Sequence, residues 1–327
     1  MSSNDHNRTP QELQDTPVGF DPGNRAGKLV VKGQKSKVNL FFAAKQPQGR
    51  LNDTTLKTTK AKAFWLQVGD IAGWVGEDAL SQRGISELDE AKYTTEYLKS
   101  AFSASVVQWM ISRKVSPETV EASRFNIVAS MPPEKYQDGK IRAEAASAFS
   151  EAFAPDLNWH VKTDVFPTFR IYTCYKNLVP ETLVTAKSVL KDGKITVVVD
   201  FGYGTLDLAV FNGRDEVPKI TNSYNMGLFH AYSELSPLNI NGVELDIWRE
   251  KDWSRLDGYF SEAKRTIEAA TRRIPNECLN VVIIGGGTKA MSPYAKKSYK
   301  KTWANVSYKD EFANALANYR VACRETG

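Results

Sequence analysis

Cysteine is scarce in this chain. Cys174, Cys278 and Cys323 lie far apart among 327 residues. They cannot all pair as disulfides and form no metal-binding pair, so a disulfide scaffold and a cysteine zinc site are excluded and a reducing cytoplasm is expected. Histidine is as sparse: His6, His160 and His230 are scattered, which leaves little basis for a His-based triad. No apolar run approaches the ~20 residues a membrane span needs, and the polar N-terminus lacks the apolar core of a signal peptide. No membrane partner is expected. The net charge of +5 is mild and spread along the chain, so direct nucleic-acid contact is not expected either.

Hydrophobic residues are present in good supply, at 42%, and the length allows about two domains of ~150 residues. The most informative stretch is Thr196 to Phe211. Four β-forming residues lead to Asp200, the chain turns on Gly202 and Gly204, and an apolar strand resumes at Asp207. This pattern predicts a β-hairpin with a tight, glycine-lined turn. Gly202, Tyr203, Gly204 and Thr205 would offer consecutive N–H groups and a hydroxyl to a phosphate. A carboxylate beside such a turn suits Mg²⁺, which takes one or two carboxylates plus phosphate oxygens and water. Taken alone, the stretch reads equally as an ordinary glycine-turn hairpin. It is not a dinucleotide fingerprint, because Asp207 fills the third glycine position and a strand follows where a helix should open.

Two further turns stand at opposite ends of the chain. Near the start, Val18-Gly19-Phe20 leads into Asp21-Pro22-Gly23-Asn24-Arg25-Ala26-Gly27-Lys28, then Leu29-Val30-Val31. This is strand, turn and strand again, with Lys28 able to reach a phosphate as a point charge. It is not a P-loop: the glycines are one residue too close and Leu29 replaces the required hydroxyl residue. Near the end, the apolar strand Leu279–Ile284 stops at Gly285-Gly286-Gly287-Thr288, which leaves a flat surface without side chains. Between these points the periodicity predicts helices over 87–114, 141–153 and 256–274 and strands over 125–129 and 161–172. Pro180-Glu181 predicts a helix running to Leu190, with Glu181 favouring its N-terminal dipole. Residues 310–320 predict a closing helix, and the polar residues 1–16 read as a disordered arm. Trp74 and Trp248 read first as core residues and second as surface contacts.

The three turns, in this order, resemble the two phosphate loops and the adenosine loop of the actin, heat-shock chaperone and sugar kinase ATPase superfamily. Its second phosphate loop reads D-x-G-x-G-T-x-D, matched here from Asp200 to Asp207. Pro22 and Arg25-Ala26 depart from the first loop's usual residues. Val68-Gly69-Asp70-Ile71-Ala72 and the Phe312-Ala313-Asn314-Ala315 segment resemble the ParM-type and archaeal actin-like branch; Asn212 to Arg255 resembles it least. The resemblance implies an α/β chain of two actin-like, ribonuclease H-like domains facing each other across a nucleotide cleft. Domain I would span 17–185 with a returning helix at about 308–327, and domain II 186–307. It implies ATP or GTP with Mg²⁺ as cofactors. Asp21, Gly23, Asn24, Lys28, Gly202, Tyr203, Gly204, Thr205, Gly285, Gly286, Gly287 and Thr288 would hold the nucleotide, with Asp21 and Asp200 on the metal side. Glu181 would orient the attacking water or act only as a helix-terminal acid; Asp207 would polarise water or only fix the hairpin. The implied activity is a filament-forming ATPase that moves plasmid DNA, with itself and a DNA-binding adaptor as partners. A cell-shape or organelle-positioning actin and a small-molecule kinase are the alternatives.

Overall fold

The computed structural model describes residues 13–23, 25–40, 42–43, 63–76, 93–155, 157–218 and 220–326. The first half carries β1 (Gln14–Pro22), β2 (Ala26–Val31), β3 (Gln34–Asn39), β4 (Phe42–Ala43), β5 (Ala63–Val68), β6 (Ile71–Gly76), α1 (Thr95–Arg113), α2 (Pro117–Glu121), β7 (Ser123–Met131), α3 (Pro133–Gln137), α4 (Gly139–Ala152), β8 (Asn158–Thr163) and β9 (Phe169–Pro180). The second carries α5 (Leu183–Ala186), β10 (Ile195–Phe201), β11 (Leu206–Asn212), β12 (Asp215–Glu216), β13 (Asn222–Tyr224), α6 (Leu228–Leu235), α7 (Ile240–Glu250), α8 (Asp257–Thr271), β14 (Leu279–Ile284), α9 (Gly287–Ala290), α10 (Pro293–Thr302), β15 (Val306–Tyr308) and α11 (Ala313–Thr326).

The strands form two sheets. One runs β3-β2-β1-β7-β9-β8-β5-β6-β4; the other runs β12-β11-β10-β14-β15, with β13 added on β11. Each sheet is built around the same unit, a hairpin whose first strand also pairs in parallel with a third strand. In β1–β2, Asp21 pairs with Lys28 and Phe20 with Leu29, while β1 lies parallel to β7. In β10–β11, Asp200 pairs with Asp207 and Val199 with Leu208, while β10 lies parallel to β14.

Period-2 alternation decides where each acid points. Val18 and Phe20 enter a core with Phe102, Phe125 and Phe153, where the Phe20 and Phe102 rings meet edge-on at 5.3 Å. Gly19 and Asp21 therefore face the other way. Val197, Val199 and Phe201 enter a second core with Tyr259, Phe260 and Tyr299, and Val198 faces Leu183 and Ala186 instead. Asp200 shares the face of Val198. Helix α11 returns from the second half to cover β1 at backbone distance: a Cβ on Gly19 would lie 2.0 Å from the Ala315 carbonyl oxygen. Only glycine permits that approach.

Three expectations need correction. The polar arm does not reach residue 16, because β1 begins at Gln14. The neighbouring strand supplies the polar partners: Arg124 forks onto Asp15 through its Nε at 2.7 Å and a terminal nitrogen at 3.0 Å. Residues 1–12 lie outside the described residues, as does Asn24. The strand expected over 161–172 is instead the antiparallel pair β8 and β9. The helix expected from Pro180 to Leu190 shrinks to the four residues of α5. Pro180 closes β9 opposite Met131, and Thr182 takes φ 59°, ψ −49°, which no continuing helix allows.

Candidate functional site

The first turn brings Asp21 and Lys28 together by strand register alone. The Lys28 Nζ sits 2.9 Å from Asp21 Oδ2, and both side chains are largely buried. On β3, Lys37 pairs with Lys28, so an acid and two lysines form one row across three strands. Burial alone would lower the Lys28 ammonium; Asp21 and Asp200 outweigh it and hold it above its ordinary range. Gly23 lies beside this pair, with room for a Cβ only 3.1 Å from the Ala26 carbonyl.

The second turn is closed by the Gly202 N–H donating to the Thr205 carbonyl at 3.0 Å. Its carbonyls are turned away to a helix. Gly227, Leu228 and Phe229 at the start of α6 donate to Gly204, Gly202 and Tyr203, at 3.1, 3.1 and 2.8 Å. The turn thus satisfies the N–H groups a helix start leaves unpaired. A Cβ on Gly227 would lie 2.3 Å from the Tyr203 carbonyl oxygen, so this contact requires glycine. Among the described residues, the N–H groups of Tyr203, Gly204 and Thr205 donate to no protein acceptor. Such consecutive unpaired donors form an anion-binding concavity. Asp207, opposite Asp200, accepts from the Thr205 hydroxyl at 3.1 Å and from the Ser223 hydroxyl.

The third turn closes against the second. Gly285 adopts φ 87°, and a Cβ there would lie 2.1 Å from Asp200 Oδ1. A Cβ on Gly287 would strike Phe201, whereas Gly286 faces open space. The Thr288 hydroxyl turns back to the Gly285 carbonyl at 2.7 Å rather than outward. Burial pushes the Asp200 carboxyl up to about 6; Asp21 adds to the rise, while Lys28 and the Asn314 amide oppose it. The structure therefore brings Asp21, Lys28, Asp200 and Gly285 into one cluster.

Glu181 joins this cluster indirectly. Its N–H donates to the Met131 carbonyl at 2.8 Å at the strand end. Thr182 beside it is buried with φ 59°, a conformation that costs roughly 1–3 kcal/mol in a non-glycine residue and must be held by its surroundings. Asn314 on α11 holds it. The amide oxygen of Asn314 accepts from the Thr182 N–H at 3.2 Å and the Thr185 hydroxyl at 2.7 Å, while its NH₂ donates to Asp200 Oδ2 at 2.6 Å. One helical turn on, Asn318 donates to the Phe20 carbonyl at 3.0 Å and to Ser130 at 2.9 Å. These two asparagines tie both acid-bearing strands to α11. In the sequence Asn314 stands out only within Phe312 to Ala315; the i, i+4 spacing of Asn314 and Asn318 is the signal for their shared role.

Two other groups escaped the sequence reading. Arg25, in the first turn, reaches Glu244 on α7 at 2.6 Å and the Tyr203 hydroxyl at 3.4 Å, with its guanidinium over the Tyr203 ring. Burial pushes Glu244 up to about 7 against the pull of Arg25 and Tyr203. Glu311 is clamped by Lys37 at 2.7 Å and by Lys289, just beyond the third turn. Burial would raise its carboxyl, but Lys37 and Lys289 prevail and hold it at about 2. Among the described residues no group of three or more His, Cys, Asp or Glu is arranged to cage a metal ion.

No family model matches the chain, and no curated protein matches it in sequence. Solved structures do match its shape. A 15-stranded ParM filament from Clostridium botulinum aligns with a TM-score of 0.71 at 15% identity, over 95% of this chain and 100% of the other. An archaeal actin homolog in complex with ADP gives 0.65 at 14%, over 95% and 100%. The AlfA filament from a B. subtilis plasmid gives 0.62 at 13%, over 92% and 97%. The fold is actin-like. The actin-like fold places two sheets around a cleft, and the three turns described above come together between them. No helix among the described residues is long and apolar enough to cross a membrane.

Proposed function

We propose that this chain is a filament-forming ATPase that binds a nucleoside triphosphate between its two sheets and works in plasmid or other DNA segregation. The observation that carries the reading is the cluster itself. Three glycine turns from separate parts of the chain meet around Asp21, Lys28 and Asp200, beside consecutive unpaired N–H groups. In this reading Lys28 neutralises phosphate charge as a fixed cation, and Gly23, Asn24 and the 202–205 turn bind phosphate oxygens through backbone and amide donors. Gly285, Gly286, Gly287 and Thr288 underlie the nucleoside, where Gly286 leaves a side-chain-free face. Glu181 orients the attacking water from a turn that Asn314 fixes relative to Asp200. Asp207 holds the hairpin through Thr205 and Ser223, and acts on water only through that frame.

The donors fit Mg²⁺ bound through water and phosphate. Two buried carboxylates, Asp21 and Asp200, point into the cluster, and Mg²⁺ needs no more than one or two from the protein. When bound, the ion neutralises charge on the phosphates during transfer. The γ-phosphate favours the closed, polymerising form by contacting both halves, and its loss weakens that form.

The filament and plasmid readings rest on the ParM and AlfA neighbours. Leu238, wholly exposed between α6 and α7, offers an apolar contact to a second copy. A separate cavity of about 1070 Å³ opens beside α5 and α11, lined by Arg142, Lys187, Arg214, Arg320 and Arg324 with Glu216 and apolar side chains. Its positive balance suits an acidic segment of a DNA-binding adaptor. The test is phosphate release and pelleting with Mg-ATP. Turnover should rise with protein concentration, Asp200→Ala should lower it at least ~100-fold, and Leu238→Asp should reduce pelleting while leaving nucleotide binding intact. Undiminished turnover in Asp200→Ala would remove the site assignment.

A further inference from the structure

The first turn departs from its family pattern at Arg25, and the structure gives that departure a partner. Arg25 leaves the β1–β2 hairpin, crosses to the second half and meets Glu244 and Tyr203 there. Glu244 belongs to α7, which packs into the second core through Val243 and Ile247. Tyr203 belongs to the second turn, and its hydroxyl also donates to Glu244 at 3.3 Å. The three groups are mutually bonded, and both charged members are nearly buried, at 13% and 5% side-chain exposure.

The position of this contact sets it apart. Among the described residues the chain crosses between the sheets twice, from β9 into β10 and from β15 into α11. At the second crossing, Glu311 is held by Lys37 of the first half and Lys289 of the second, and Lys35 pairs with the adjacent Asp310. The Asn314 bonds lie there as well. Arg25 and Glu244 are remote in sequence from both crossings, so they restrain a part of the cleft that no covalent connection restrains. A buried guanidinium–carboxylate pair is directional and strong once formed, and loss of one member strands the other.

We propose that Arg25 and Glu244 form a clasp across the cleft that limits how far the two halves part, and thereby sets the rate of nucleotide exchange. The proposal rests on the nucleotide reading for exchange only; the clasp itself is testable without ligand. Arg25 is a positioning residue here, acting through the relative placement of the first and second turns. Because Tyr203 lies in the second turn, release of the clasp loosens both turns together.

The experiment measures distance and exchange in the same variants. Spin labels are placed at the exposed helix positions Glu144 on α4 and Glu262 on α8, with Cys174, Cys278 and Cys323 replaced by serine. Pulsed dipolar spectroscopy on the nucleotide-free protein should give one narrow distance distribution. Arg25→Ala and Glu244→Ala should each broaden it towards longer distances, and the charge swap Arg25→Glu with Glu244→Arg should narrow it again. Release of a fluorescent ATP analogue should be about tenfold faster in the single variants and recover in the swap. Arg25→Met, which keeps the apolar stem and removes the guanidinium, serves if either alanine variant fails to fold; it should show the same broadening. Unchanged distributions in folded Arg25→Ala or Arg25→Met would overturn the clasp even if nucleotide binds. Broadening with no nucleotide binding at all would uphold the clasp and instead defeat the nucleotide reading.

Discussion

The β1–β2 and β10–β11 hairpins share one register and differ in what faces the acid. In each, an acid stands next to last in the first strand and faces the residue seven positions on. In the first hairpin that residue is Lys28, and the acid is neutralised by its own hairpin. In the second it is Asp207, which Thr205 and Ser223 occupy, so Asp200 has no cation on its own hairpin. Its compensation comes from outside its hairpin: Lys28 of the first half by charge and Asn314 of α11 by a hydrogen bond. The difference teaches where the two sheets depend on each other. One hairpin is electrostatically closed, and the other is completed only by the first hairpin and α11.

That contrast can be broken most severely at Lys28. Lys28→Met leaves Asp21 and Asp200 facing each other without their shared cation and should destabilise the ligand-free protein by ~3–5 kcal/mol, seen as a lower urea midpoint. Gly285→Ala should cost about 2–4 kcal/mol, since its Cβ must displace Asp200 at positive φ, whereas Gly286→Ala should leave the midpoint nearly unchanged. Asp200→Asn should act in the opposite direction to Lys28→Met. It removes a carboxylate whose charged form burial disfavours, and should raise stability at pH 7.5 by ~1–3 kcal/mol while turnover is lost. Asp207→Asn keeps its hydroxyl partners in reach and should cost only ~1 kcal/mol.

The same buried acids make stability depend on pH. Asp200 is raised in the folded state to about 6 and Glu244 to about 7. Each takes up protons on folding, so its contribution to stability is complete below its unfolded pKa, near ~4, and is lost as pH rises through about 6 or about 7. Glu311, depressed to about 2, works the other way: its contribution is present above ~4.3 and lost as pH falls through about 2. Urea midpoints at pH 5 and 8 should therefore differ less in Asp200→Asn than in the parent chain. Glu311→Gln should soften the loss of stability below pH ~4.

The turns were legible because glycines and acids at fixed spacing carry local information. Gly202, Gly204 and Asp200 announce a hairpin whatever surrounds them, and the apolar strand before Gly285 announces its own end. What was not legible depends on partners far along the chain. The stretch Asn212 to Arg255 carries the weakest resemblance to actin-like sequences, yet it contains Gly227, which caps the second turn, and Glu244, which meets Arg25. Neither role has a periodicity. Asp15 sits in a polar run, which the ladder with β7 makes a strand and Arg124 anchors. Pro180-Glu181 has the local grammar of a helix start. Pairing of β9 with β7 carries the strand through Pro180, and the bond from Thr182 to Asn314 sets the turn that follows. In each case tertiary pairing overrode local preference.

We propose that the three separated turns form one triphosphate site. Amide hydrogen exchange, followed during titration with Mg-ATP at a protein concentration too low for pelleting, is the measurement that decides it. Slowed exchange at 23–28, 202–205 and 285–288, saturating together at one nucleotide concentration, is the predicted result. Protection confined to a single turn, or absent from all three at saturating nucleotide, would contradict it.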